Sequence, residues 1–420
     1  MHFQFRTAGE SHGRGLIALV EGVPAGLELV AARDINPDLK RRQGGYGRGG
    51  RMRIEQDEIE FISGVRHGET LGSPIAMLIW NRDWQNWQTA MAYEPRTTGR
   101  NTGSEEDGKS SSEAEDRALK RVHLPRPGHA DLVGILKYDR TDARDILERA
   151  SARETTARVA AGAVAKRLLA EFGVTIGSHI VMLGGIDASA PEEWPADINA
   201  VADASPLRTL DPEAEKKMIA AIDAAKAAGN TLGGWFEVIA QGLPVGLGSH
   251  VSWDRRLDGR LGQALLSIQA MKGVEIGLGF EAARRPGSEV HDEIERDPAH
   301  AGPGGFRRSS NRAGGLEGGM TTGEPLVVRV AMKPLSTLMQ PLKSVDLRTG
   351  DPAEAVRERS DVVALAAAGV VGEAMVAIVL ADAFLEKFGG DSVAEVKRNH
   401  AAYMDGLAER TENFRKGVRE

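Results

Sequence analysis

The chain has 420 residues, with 53 Lys and Arg against 60 Asp and Glu, and no cysteine. Disulfides, thiolate metal sites and iron–sulfur clusters are thereby excluded, and a formal net charge of −7 disfavours nucleic acid and anionic lipid as partners. Glycine is abundant, 50 of 420 against an average of about 7%, which points to tight turns and to backbone lying close to a ligand.

A first strand is predicted over His2–Thr7, and residues 9–13 then read Gly-Glu-Ser-His-Gly. The pentapeptide fits the G-x-S-x-G nucleophile elbow of hydrolases, with Ser11 as nucleophile. That elbow turns from a central strand into a helix at the top of a sheet already partly built. The eight residues before Gly9 cannot supply the earlier strand and oxyanion loop, so a hydrolase is disfavoured. The N-terminus also lacks a basic region followed by an apolar one, so no secretory signal is visible, and a cytoplasmic protein is expected.

Gly15–Glu21, Glu58–Gly64 and Ser73–Trp80 read as further strands. Ala31–Arg42 reads as a short helix whose start is broken by Asn36-Pro37. Glu94–Val122 is polar and Ser/Glu-rich, a solvated loop insert at about 95–122. Ser151-Ala-Arg-Glu154 has capping-box spacing, and apolar residues at helical intervals carry a helix to Gly173. Next come a strand Val174–Leu183, a helix Asp211–Ala228, a strand Trp235–Gln241, a helix Arg260–Gly273 and a strand Val274–Phe280. The last strong helix spans Ala366–Phe388. Glu373 is the only charge between Val362 and Ala381, and the run is rich in Ala and Gly rather than Leu, so a buried helix is expected there and not a membrane span. Residues 160–173 and 375–389 echo one another, each an Ala-rich helix closed by Phe-Gly, which fits either an internal duplication or shared C-cap chemistry.

Five constellations could carry chemistry. Lys40–Arg53 holds six cations and five glycines with no acid; glycines let backbone N–H groups face an anion, and arginines clamp phosphate or carboxylate. Because this segment is single and embedded in an acidic chain, a small-molecule polyanion site is favoured over a nucleic-acid tail. Arg126-Pro-Gly-His-Ala-Asp131 is a rigid turn suited to aiming His129 inward, with Asp131 either orienting the imidazole or capping the next helix. Glu148–Thr156 opens a helix where Arg149, Arg153 and free N–H groups could hold a phosphate. Asn311–Gly323 resembles a glycine cradle but matches no Walker or G-x-G-x-x-G pattern. Arg357–Asp361 is a charge cluster ahead of the last helix. Together they point to a large, multiply charged phosphorylated ligand.

This set, in this order, resembles the chorismate synthase family: G-E-S-H-G, an Arg/Gly segment, R-P-G-H-A-D, R-A-S-A-R-E-T, A-G-G-L-E-G-G, K-P-L-S-T and a late Arg-x-Asp, spanning about residues 3–390. The resemblance implies an α+β fold with helices sandwiched between antiparallel β-sheets, assembled as a homotetramer. It implies one catalytic domain over 1–395, followed by a charged C-terminal tail over 396–420. The implied activity is the 1,4-anti elimination of phosphate from 5-enolpyruvylshikimate 3-phosphate to give chorismate. That is the last common step toward the aromatic amino acids, and it requires reduced FMN without net redox change. NADPH is a candidate reductant, and no nucleic acid, membrane or metal is involved. The implied catalytic residues are His12 at the substrate phosphate, His129 near the flavin and Asp361 near flavin N5. Substrate or NADP phosphate falls to Arg42, Arg48, Arg126 and Arg153. FMN falls to Arg149, Ala150, Ser151, Gln269, Ala270, Gly318, Lys333, Pro334, Leu335, Ser336, Thr337 and Arg359. Leu335, Gln269, Ser360 and Val362 depart from the common family pattern, which alters individual flavin hydrogen bonds.

Overall fold

A computed structural model of the chain describes residues 2–49, 56–95, 119–191, 193–296, 303–356 and 361–416. Most of the polar insert, the end of the Arg/Gly segment and Arg359 lie outside the described residues.

Strands β1 (Gln4–Ala8), β2 (Gly15–Glu21), β3 (Glu60–Ser63) and β4 (Ile75–Trp80) form an antiparallel sheet in the order β1-β2-β4-β3. Strict alternation builds it. Leu16, Ala18 and Val20 of β2 and Ile75, Met77 and Ile79 of β4 are buried on one face, because successive strand side chains point to opposite sides. Between β2 and β3, a π-helical turn at Ala31–Ile35 runs into helix α1 (Asn36–Gln43), with Pro37 in its first turn where no N–H partner is needed. Gly9–Gly13 thus connects two strands and not a strand to a helix, which removes the nucleophile-elbow geometry.

Helices α2 (Asp131–Tyr138), α3 (Arg144–Ala150) and α4 (Thr155–Ala170) follow. The predicted start of α4 is a short 3₁₀ turn, Ala152–Glu154, capped by the Ser151 hydroxyl accepting from the Arg153 N–H. Glu154 does not complete a capping box; its carboxylate is taken by Thr7, Arg158 and Gln269. Next come β5 (Thr175–Leu183), α5 (Pro212–Ala227), β6 (Gly234–Gln241), α6 (Leu257–Leu266), β7 (Met271–Ile276) and β8 (Leu326–Met332). The strands form a second antiparallel sheet in the order β7-β8-β6-β5, edged by Ile186–Asp187.

Here the structure corrects the reading of Arg260–Gly273 as one helix. The helix starts and ends earlier, and Met271–Ile276 pairs with β8. Cross-strand partners decide the conformation of such a short apolar run more than local propensity does.

Helix α7 (Leu365–Phe388) runs between these parts, packing on α4 and on β5 and β6. It is long and apolar enough to cross a membrane by length and composition, but 94% of its most apolar window is buried inside the protein. Its small residues let neighbours approach closely. A Cβ added at Gly162 of α4 would lie 2.3 Å from the Ala374 Cβ and 2.8 Å from the Ala374 carbonyl oxygen. The charged segment from 396 onward continues a helix, α8 (Val393–Lys416). Val393 and Val396 are buried, His400 packs on Phe172, Phe384 and Phe388, and the Tyr403 hydroxyl donates to the Val245 carbonyl.

Gly162→Ala should gain about 1 kcal/mol of helix propensity but lose about 1–3 kcal/mol to overpacking. The obstructing atoms include α7 backbone, which cannot turn aside. Thermal denaturation is expected to show a lowered Tm; a raised Tm would contradict this packing.

Candidate functional site

The Gly9–Gly13 loop, the α1–loop junction, the turn before α2, the α3–α4 junction and the start of α7 converge on one cavity of about 510 Å³. His12 reaches it from the first loop. Its backbone N–H donates to Glu148 Oε2 at 2.8 Å, and its Nδ1 lies 3.0 Å from both Glu148 oxygens. A carboxylate only accepts, so Nδ1 carries the proton and Nε2 is left to the cavity. Burial pushes the Glu148 carboxyl upward, but bonds from His12 and Arg144 outweigh it and hold it below the usual range. The imidazole also stacks on the Trp87 indole, ring centroids 3.7 Å apart. Ser11 is buried, its hydroxyl bonded to that of Ser151.

His129 is held the same way. Gly128 takes a positive φ of 76°, which a glycine tolerates, and so turns the chain before it. His129 Nδ1 then lies 2.5 Å from Asp131 Oδ1. Asp131 is fully buried and also accepts from Arg126 Nε at 2.8 Å and from the Arg126 backbone N–H at 3.0 Å. Burial alone would raise the Asp131 carboxyl; the hydrogen bonds from His129 and Arg126 reverse this and hold it far below the usual range.

Cations crowd the same space. Arg42 is buried, donating from Nε to Thr155 and from Nη2 to the Ala152 carbonyl, while its buried Nη1 has no hydrogen-bond partner among the described residues. Burial pushes its guanidinium down to about 9; Asp57, 3.7 Å away, opposes this, and Arg153 and Arg48 add to it. Arg48 pairs with Asp361 at 3.3 Å, and the Gly49 N–H donates to the same carboxylate at 2.6 Å. Arg126 Nη1 reaches the Thr337 hydroxyl, and Lys333 Nζ reaches the Gly128 carbonyl. Burial, then Lys272, lowers the Lys333 ammonium.

The remaining wall is apolar: Ile268, Met271, Met332, Leu335 and Val371, over a floor of Ala364, Ala367 and Ala368. Ala150, Ser151, Gln269, Ala270, Pro334 and Ser336 complete the lining. The buried Gln269 Oε1 has no hydrogen-bond partner among the described residues.

The family model for chorismate synthase matches residues 3–385. The chain belongs to the chorismate synthase family. A chorismate synthase of Geobacter metallireducens is 55% identical over 407 residues, 96% of this chain and 99% of its own. One from Salinispora tropica is 56% identical with the same coverage. A crystal structure of chorismate synthase superimposes with a TM-score of 0.75 at 44% identity, covering 97% of this chain and 99% of that one.

Three residues expected at a chorismate synthase site do not line this cavity. Arg153 is turned to Asp57, at 2.7 Å, and to Asn81, at 2.8 Å. Asn81 in turn donates to the Glu10 and Gly13 carbonyls, so Arg153 braces the loop that carries His12. Arg149 donates to the Thr7 and Gly9 carbonyls. Gly318 sits in the turn between Leu316–Glu317 and Met320–Thr321, beside the first residue of α6, whereas Ile268 to Ala270 of the cavity lie past that helix's far end. Arg359 lies outside the described residues. Three contributors were not read from sequence: Trp87, Asn81 and Glu148 as the partner of His12. None lies at a spacing that signals its role, because their contacts join segments far apart in the chain.

The depressed Asp131 carboxyl contributes stability that is complete above its unfolded value of about 4 and is lost as pH falls through the lower folded value. Asp131→Asn should cost about 3 kcal/mol or more at pH 7, since it removes the buried carboxylate that pairs with Arg126 and His129. The wild-type advantage in urea midpoint should hold down to about pH 4 and shrink below it. An advantage constant to about pH 2 would contradict the pairing.

Proposed function

We propose that this cavity carries out the chorismate synthase reaction, with phosphorylated substrate and reduced flavin bound side by side. The observation that carries the reading is the pair of histidines, each tethered through Nδ1 to a buried carboxylate, facing a cavity also lined by Arg42, whose buried Nη1 lacks a hydrogen-bond partner among the described residues. 5-Enolpyruvylshikimate 3-phosphate brings a phosphate and two carboxylates, and Arg42, Arg48 and Arg126 supply the matching cations. An anion beside Arg42 would offset the burial that lowers its charge.

The residues also fit FMN. An apolar wall over an alanine floor suits a planar ring system, the orphaned Gln269 Oε1 offers an acceptor to a ring N–H, and Lys333 to Thr337 with Ala150, Ser151 and Ala270 supply polar contacts. When bound, the reduced flavin supplies an electron transiently as phosphate leaves and recovers it as the ring hydrogen is lost. The protein's own part is electrostatic and protonic. Glu148 orients His12 through Nδ1, which leaves Nε2 as the atom that can pass a proton to the departing phosphate. Asp131 does the same for His129, which we assign to control of protonation beside the flavin. Asp361, anchored by Gly49 and Arg48, is assigned to the flavin N5 side. Arg153 and Arg149 are assigned to bracing the His12 loop.

We infer that the helices lie sandwiched between the two sheets, since α4 packs on β2 and α7 on β5 and β6. The outer face of the first sheet exposes Ile17, Ile62 and Trp80, an apolar area that suits the homotetramer.

The deciding assay is anaerobic turnover with dithionite-reduced FMN, beside an arm with NADPH as sole reductant. Chorismate and phosphate should appear in equal amounts in the first arm, and their absence there would sink the proposal. The second arm reports whether the chain reduces its own flavin. His12→Ala should lower kcat by about 10²-fold or more with FMN affinity within about twofold. A large loss of FMN affinity would overturn the role of His12. Arg42→Met should raise KM by about tenfold or more, as expected when a charged hydrogen bond to phosphate is lost.

A further inference from the structure

Beyond the residues that contact reactants, the structure assigns a positioning role to Trp87: its indole holds the His12 imidazole in orientation. This rests on the reading of His12 as proton donor. The two rings stack with centroids 3.7 Å apart and planes inclined by 21°. A hydrogen bond through Nδ1 alone leaves the imidazole free to rock about the Nδ1–Glu148 axis. The stack removes that freedom, so Nε2 stays directed to the cavity.

Trp87 is itself fixed. Its indole N–H donates to Asp83 Oδ2 at 2.9 Å, and its backbone N–H bonds the Trp84 carbonyl. The segment springs from Asn81, which also grips the Glu10 and Gly13 carbonyls. One buried amide therefore sets the spacing between the indole and the loop that carries His12.

The charged groups around the imidazole are Glu148 and Arg144 from α3, Lys120 ahead of α2, and Asp83 at the indole N–H. Lys120 Nζ lies 3.5 Å from the indole centroid and the Arg144 guanidinium 5.2 Å from it. Both repel an imidazolium, but Arg144 is neutralised by Glu148 at 3.0 Å. Glu148 and the electron-rich indole face touch the imidazole directly. These two contacts therefore fix where the ring lies.

The test uses the full chain with reduced FMN and compares Trp87→Ala with Trp87→Phe. In Trp87→Ala, kcat should fall about three- to tenfold with KM within about twofold, and the His12 ring resonances, assigned in NMR by their loss in His12→Ala, should broaden as the ring gains freedom. Trp87→Phe, which keeps an aromatic face, should restore most of each effect. Unchanged turnover and unchanged ring resonances in Trp87→Ala, with turnover lost in His12→Ala, would overturn the positioning role and leave the donor reading standing. A loss in Trp87→Ala that phenylalanine does not recover would mark the indole as packing only and equally overturn it. Wild-type turnover in His12→Ala would remove the donor reading itself, and this role with it.

Discussion

A single buried carboxylate sets the relation among the parts that build the site. Glu373 lies midway along α7, fully buried, and accepts bonds from Arg41, Lys166, Arg208, Ser178 and Asn199. Burial would raise this carboxyl strongly, but the charges of Lys166, Arg41 and Arg208 drive it the other way, well below the usual range. A charge so placed is tolerated only with every lone pair engaged, and removing one partner from such a cluster costs about 3–5 kcal/mol. The donors come from α1, α4, β5 and the stretch between β5 and α5. All of them must therefore meet at one point on α7. Arg41 and Arg42 are neighbours on α1, the first turned to this cluster and the second to the cavity. Fixing one fixes the other.

The site built on that frame divides its labour simply. Two imidazoles line the cavity, each with one nitrogen held by a buried carboxylate. Arg42 and Arg48, beside Asp57 and Asp361, line it with them. Such an arrangement suits the binding of a multiply charged anion and the movement of protons at defined atoms, the part left to the protein in the proposed reaction. The apolar wall excludes water from the same space and strengthens each of these interactions.

Much of this was legible in the residues. Alternation located β2 at Gly15–Glu21, and α7 was read to within one residue because the apolar run from Val362 to Ala381, with Glu373 its one charge, has few other fates. The turn chemistry of Arg126 to Asp131 correctly aimed His129. What the sequence obscured was decided by contacts across the fold. Arg260–Gly273 has helical composition throughout, yet Met271 to Gly273, its last residues, belong to the strand that pairs with β8. Residues 393–416 look like a charged tail because their buried stripe uses His400 and Tyr403 beside two valines. Glu148 and His12 are joined only after a sheet and two helices have formed, and no local spacing announces a pair 136 residues apart.

The alanine floor has a consequence for how this pocket can change. Ala364, Ala367 and Ala368 present little more than a methyl each, so the depth of the cavity is set by the main chain of α7 and not by rotamers that could repack. A larger residue there would occupy the volume the reactants need. Glycine would loosen the helix that the buried carboxylate holds in place. An inhibitor that rests its weight on this floor would leave the organism few escape routes by point substitution, because each would damage turnover or folding along with drug binding.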